Sequence, residues 1–199
     1  LNAVKYRGDY AIEGLARAAV ENARTAGKPV FFDVGPTGAL LAPVGTLTFD
    51  EAYSAFAEIA ELTRDMVDGY IVETFSDLYE LKACVLALKE HTDRLVFATA
   101  TFDGSGRTLT GSTPEIVAEL LEGLGVDALG VNCSLGPKEL APIVRRLLAA
   151  TELPVIVQPN RGLPRLVDGK TVYDLSEDEF AAWTEKFVAM GVAVIGGCC

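Results

Sequence analysis

Three of the four cysteines in this 199-residue chain stand where short apolar segments run out. Leu124 to Cys133 (LGVDALGVNC) aligns with Met190 to Cys199 (MGVAVIGGCC), so that Gly125 falls on Gly191, Gly130 on Gly196 and Cys133 on Cys199. Each window reads as a helix-ending glycine, a short apolar strand and a thiol at the strand's exit. Two copies of one unit thus deliver Cys133, Cys198 and Cys199 to the same end of a sheet. Three thiolates around one open position are the ligand set of a catalytic zinc site.

The adjacency of Cys198 and Cys199 carries a geometric condition. Successive side chains in a strand point to opposite faces, so both sulfurs reach one ion only if the chain leaves the strand there. Gly196 and Gly197 supply that freedom. Three inert core cysteines are the competing reading. A disulfide is a second, but neighbouring residues close a strained ring, and four cysteines without small-domain spacing fit a reducing, cytoplasmic setting.

The elements that must position these thiols follow from the apolar periodicity. Asp9 is a plausible cap for a helix over residues 10–26, with Ile12, Leu15, Ala16, Ala19 and Ala23 on one face. Strands are expected over 29–34, 69–74, 95–101, 128–133, 154–158 and 192–197. Helices between them start at Thr48 or Asp50, at Ser76 or Asp77, at Thr113-Pro114, near Lys138 and at Ser176. Cys84 lies beside an apolar helical stripe and reads as core, and the single histidine, His91, reads as a helix-end side chain. The long Gly- and Pro-rich loop after Gly35-Pro36-Thr37-Gly38 sits at a strand end, where such loops serve ligands. Residues 102–106 read as a turn, and 167–173 as a short excursion.

Strand and helix alternate about every 33 residues, which describes a parallel sheet covered on both sides. No dinucleotide-binding glycine fingerprint opens a helix. The eight units of a (β/α)8 barrel take about 250 residues, so about six units fit this length. The polar, glycine and thiol residues gather at strand exits, the face that carries barrel active sites. The expected fold is a (β/α)8 barrel fragment of about six βα units, forming one domain over residues 1–199. A net charge of −11 without a basic cluster argues against nucleic acid and anionic membranes as partners. No apolar run has the length of a membrane span.

The motifs GVNCSLGP, QPNRGLP, DGKTVYDLS and the terminal IGGCC resemble those of the homocysteine S-methyltransferase family, and most closely the homocysteine-binding module of its cobalamin-dependent members. The resemblance covers essentially the whole chain. It implies a barrel entered just after its second strand and left at the end of its eighth, truncated at both ends. It also implies Cys133, Cys198 and Cys199 as zinc ligands, and Glu73 as the carboxylate receiving the amino group of homocysteine. By the same likeness Asp33 lines the pocket and Asn132 braces the thiolates. The Asp-Gly motif of the family's first strand has no counterpart here.

The implied chemistry is that of a sulfur nucleophile. A free alkyl thiol, with a pKa near 8.5, is scarcely ionised at neutral pH. Coordination to zinc deprotonates it, and an electrophilic methyl group then transfers to sulfur without a protein nucleophile. The methyl donor implied by the resemblance is methylcobalamin on a cobalamin-binding domain or a corrinoid protein, and the product is methionine. Alternatives are a stand-alone enzyme using S-methylmethionine or betaine, and a non-catalytic zinc or thiol module.

Overall fold

The computed structural model describes residues 11–162, 164–167, 169–173 and 175–199. Its elements run α1 (Ile12–Arg24), β1 (Phe31–Val34), α2 (Phe49–Thr63), β2 (Gly69–Phe75), α3 (Leu78–His91), β3 (Leu95–Ala100) and α4 (Pro114–Gly123). They continue as β4 (Ala128–Asn132), α5 (Pro137–Ala150), β5 (Val155–Gln158), β6 (Pro164–Val167), β7 (Lys170–Tyr173), α6 (Glu177–Met190) and β8 (Val194–Ile195). Six strands form one all-parallel sheet in the order β1-β2-β3-β4-β5-β8, and β6 and β7 form a separate antiparallel hairpin. Sequential parallel strands with helical crossovers form the arc of a (β/α)8 barrel, as the alternation predicts.

The register sorts side chains by face. Tyr70, Val72, Val96, Ala98, Leu129, Val131, Val155 and Val157 are buried toward the helices and build the core. The alternate positions, among them Asp33, Glu73, Thr99, Asn132 and Gln158, line the concave side. Gly130 is required there because β4 and β5 approach closely: a β-carbon on Gly130 would stand 1.9 Å from the Ile156 carbonyl oxygen. Cys84 is fully buried on α3, as its stripe predicts.

Several starts match their expected caps. Thr48 and Ser176 each form a capping box, with Glu51 and Glu179, and the Asp77 carboxylate accepts from Tyr79 N. Thr113 occupies the N-cap position before Pro114, its side chain bonding the Glu115 carboxylate rather than a helix backbone N–H. The cap expected at Asp9 lies outside the described residues. In α1 the buried stripe is Ile12, Ala16 and Val20, whereas Leu15, Ala19 and Ala23, expected on the same face, are exposed. Helix α1 packs on α2 at the β1 edge, where among the described residues a narrow i, i+4, i+8 stripe is covered. The excursion at 167–173 belongs to the β6–β7 hairpin. Among the described residues no helix is long and apolar enough to cross a membrane.

The loop after β1 is fastened to α3 by one buried acid. Glu80, 4 % exposed, accepts from Thr37 N at 2.7 Å and from Thr37 Oγ1 at 2.5 Å. Burial raises its pKa above the ordinary glutamate value, and the two Thr37 bonds only partly offset this. The folded state therefore holds this proton more tightly than the unfolded chain does. The Glu80 contribution to stability is greatest in acid and declines as pH rises from the ordinary glutamate range through its own, higher pKa. Glu80→Gln keeps an acceptor for Thr37 and is expected to abolish that slope in urea melts across pH. Glu80→Ala strands two buried donors and is expected to cost about 1–3 kcal/mol at all pH values.

Candidate functional site

The strand β8 ends at Ile195, and Gly196 to Cys199 follow no strand geometry. Their path is set by hydrogen bonds to the exit of β5. Gly196 N donates to Val157 O and Cys198 N to Pro159 O, each at 3.0 Å, while Arg161 N donates to Cys199 O at 2.9 Å. The Asn160 side chain adds a fourth tie, its Oδ1 accepting from Cys199 N at 3.1 Å. On the other side Cys133 N donates to Gln158 O at 3.0 Å. Both cysteine motifs thus hang on one short segment, residues 157–161.

With the backbone so pinned, the Sγ atoms of Cys133, Cys198 and Cys199 all lie within 4.8 Å of one another, Cys198 and Cys199 being 4.0 Å apart. A tetrahedral ion with Zn–S bonds of about 2.3 Å spaces its sulfurs by about 3.8 Å. The three-sulfur donor set and its spacing therefore fit zinc with little movement. Cys198 keeps contact with solvent, yet its thiol is pushed up to about 12. Desolvation is the largest cause, and hydrogen bonding and charge from Cys133 and Cys199 add to it. Without a cation this thiol stays protonated at neutral pH. A cavity of about 730 Å³ opens beside Cys198 and Cys199, walled by Phe180, Ala181 and Thr184 of α6 and by Pro159 and Arg161. That volume suits a small ligand.

Three strand exits place polar groups on the same concave side. Glu73, at the end of β2, accepts from Gln158 Nε2 at 3.2 Å across the concave side. Burial raises the Glu73 pKa, the nearby Asp33 charge raises it further, and the Gln158 bond opposes both. Asp33 lies at the exit of β1 and is exposed. Asn132, fully buried at the end of β4, directs its Nδ2 at Cys198 Sγ, 3.9 Å away.

Sequence reasoning leaves out Thr74, Thr99, Gln158 and Asn160, all of which bond to these residues. Their signal is three-dimensional: each is tied to a partner on another strand exit, at least 33 residues distant for the Asn132 bonds to Thr74 and Thr99. Gln158 and Asn160 fall in the QPNRGLP motif, which assigns them no role, and only position along a strand marks Thr74 and Thr99. His91, as expected, takes no part: it bonds to Glu61 and Tyr53 on the outer helices.

Comparison with known proteins agrees with this arrangement. The sequence profile described as Homocysteine S-methyltransferase matches residues 2–199. A methionine synthase of Mycobacterium tuberculosis is 36 % identical over 177 residues, covering 85 % of this chain. The chain spans 15 % of that relative's length. Among solved structures, the homocysteine methyltransferase MmuM from Escherichia coli superimposes in its apo form with a TM-score of 0.75 at 23 % identity, covering 94 % of this chain and 69 % of that one. Its metallated form gives a TM-score of 0.70 at 23 % identity, over 94 % and 63 % of the two chains. At that identity the likeness to MmuM is one of fold. The match along nearly the whole sequence is what assigns the chain, which belongs to the homocysteine S-methyltransferase family.

Proposed function

We propose that this chain is the part of a zinc-dependent methyltransferase that binds homocysteine and presents it as a thiolate for methylation to methionine. The observation that carries this reading is the convergence of the Cys133, Cys198 and Cys199 sulfurs within 4.8 Å. The metallated form of MmuM, a protein of like fold, supports it. Zinc held by the three cysteines would supply a site at which the substrate thiol sheds its proton and stays nucleophilic.

The chain's own residues do the rest. The β5 exit holds the three sulfurs on one side, leaving the fourth direction open. Glu73 receives the α-ammonium of homocysteine, and Asp33 adds negative charge along the same wall. An ammonium also favours the ionised form of Glu73, whose pKa is raised before the cation arrives. Asn132 donates an N–H to Cys198 Sγ, which orients that sulfur and moderates its charge. In the transfer itself a sulfur–carbon bond forms as the donor–methyl bond breaks, and the electron pair of the broken bond stays with the donor. The donor in this reading is methylcobalamin, carried on a cobalamin-binding domain or corrinoid protein, as the motif resemblance implies; the methionine synthase relative supports methionine as the product.

Metal analysis and turnover test the reading in the full-length protein. About one zinc per chain is expected, lost together with homocysteine methylation in Cys198→Ser. Zinc retained with no change in its sulfur coordination on adding homocysteine would leave only a structural module. Offered methylcobalamin, S-methylmethionine and betaine separately, the protein is expected to form methionine from the first. Methionine from betaine alone would end the cobalamin assignment.

The elevated Cys198 thiol gives a second, metal-free test. Its alkylation by iodoacetamide is expected to lag behind a free thiol at neutral pH and to keep rising past pH about 9, where a free thiol levels off. Added zinc is expected to suppress that alkylation at every pH. A Cys198 rate equal to that of a free thiol, unaffected by zinc, would contradict the reading.

A further inference from the structure

Glu73 and Cys198 stand on β2 and on the segment after β8, which do not pair in the sheet. One side chain between them reaches toward both. Asn132 is fully buried, and its carboxamide spends all its main hydrogen-bonding capacity. Oδ1 accepts from Thr74 N at 2.8 Å and from Thr99 Oγ1 at 2.9 Å. Nδ2 donates to Thr74 Oγ1 at 2.8 Å and points to Cys198 Sγ at 3.9 Å.

Thr74 explains why those bonds matter. Its φ of 68° is in the left-handed region, where a β-branched residue is a genuine outlier. A residue stays in such a conformation only when its surroundings over-determine it. Asn132 holds Thr74 at both its backbone N–H and its hydroxyl. The β2–β3 register shifts between Val72 and Phe75, so Glu73 lies in the irregular stretch that the Thr74 conformation creates. The direction of the Glu73 carboxylate therefore depends on the clamp one residue later.

We infer that Asn132 is a positioning residue that sets the spacing between the amine end and the thiol end of the pocket, clamping Thr74 to aim Glu73 while orienting Cys198. The chemical class so selected is an α-amino thiol of one length. This rests on the reading above that Glu73 takes the substrate ammonium and the cysteines serve its thiol.

The test compares homocysteine with 4-mercaptobutanoate, which keeps the thiol and carboxylate but lacks the amino group. Dissociation constants are measured by calorimetry on the zinc-loaded, full-length protein. The ratio of the two constants isolates recognition of the amine. In the wild type homocysteine binds more tightly, and in Asn132→Ala that preference is expected to shrink about tenfold or more, as in Glu73→Gln. Asn132→Asp keeps an oxygen for Thr74 N and Thr99 Oγ1 but puts a carboxylate where an N–H faces Cys198. It is expected to weaken both thiols together and leave their ratio within about threefold of wild type. A ratio unchanged in Asn132→Ala, or one that collapses in a folded Asn132→Asp, would overturn the inference alone. A wild-type protein that binds neither thiol, or both equally, would overturn the functional reading and the inference with it.

Discussion

The site exists because one short backbone segment accepts hydrogen bonds and donates them on both of its sides. Residues 158–161, leaving β5, bind Cys133 N from the β4 side and Cys198 N and Cys199 from the β8 side. Side chains separated by 66 positions meet only because both motifs are measured against this common splint. The parallel register alone would bring the strand ends to similar heights, but it would send Cys198 and Cys199 to opposite faces. Ending β8 early and tying Gly196, Cys198 and Cys199 to the β5 exit removes that obstacle. The close approach at Gly130 serves the same purpose, since it draws β4 against β5 where the splint begins.

The electrostatics of the concave face are those of a site built to receive positive charge. Burial raises the pKa of both Glu73 and the Cys198 thiol, and the nearby Asp33 charge and the neighbouring sulfurs raise them further. Each group is costly to ionise alone and cheap to ionise beside a cation. Two cations of different kinds, a metal ion at the sulfurs and an ammonium at the carboxylates, would relieve the two halves separately. Hydrogen bonds from neutral amides, Gln158 on Glu73 and Asn132 on Cys198, hold each half in place without adding charge.

Much of this arrangement is legible in the amino-acid sequence. Alternation of apolar runs with capped helices gave six parallel strands, because buried parallel strands and amphipathic helices write strong local patterns. The two cysteine windows were legible as repeats, their left-handed glycines at 125 and 191 included. What escaped detection was non-local. Nothing in the sequence marks Thr74, Cys133 and Ser134 as left-handed; Thr74 is held by Asn132 and Cys133 by Gln158, each on another strand exit. Glu80 looked like any acid in the first turn of a helix, and only the fold brings the Thr37 loop over it. Leu15 was placed on the buried face because periodicity cannot say how wide a stripe the neighbours will cover.

Cys84, sealed in α3 away from the cluster, adds a property of a different sort. Burial lifts its thiol well above the ordinary cysteine range, and no solvent reaches it. The chain thus has four thiols but offers only three to a reagent while the helix stays on the sheet. The fourth becomes titratable only when α3 opens, and its appearance clocks that opening independently of anything bound at the strand exits.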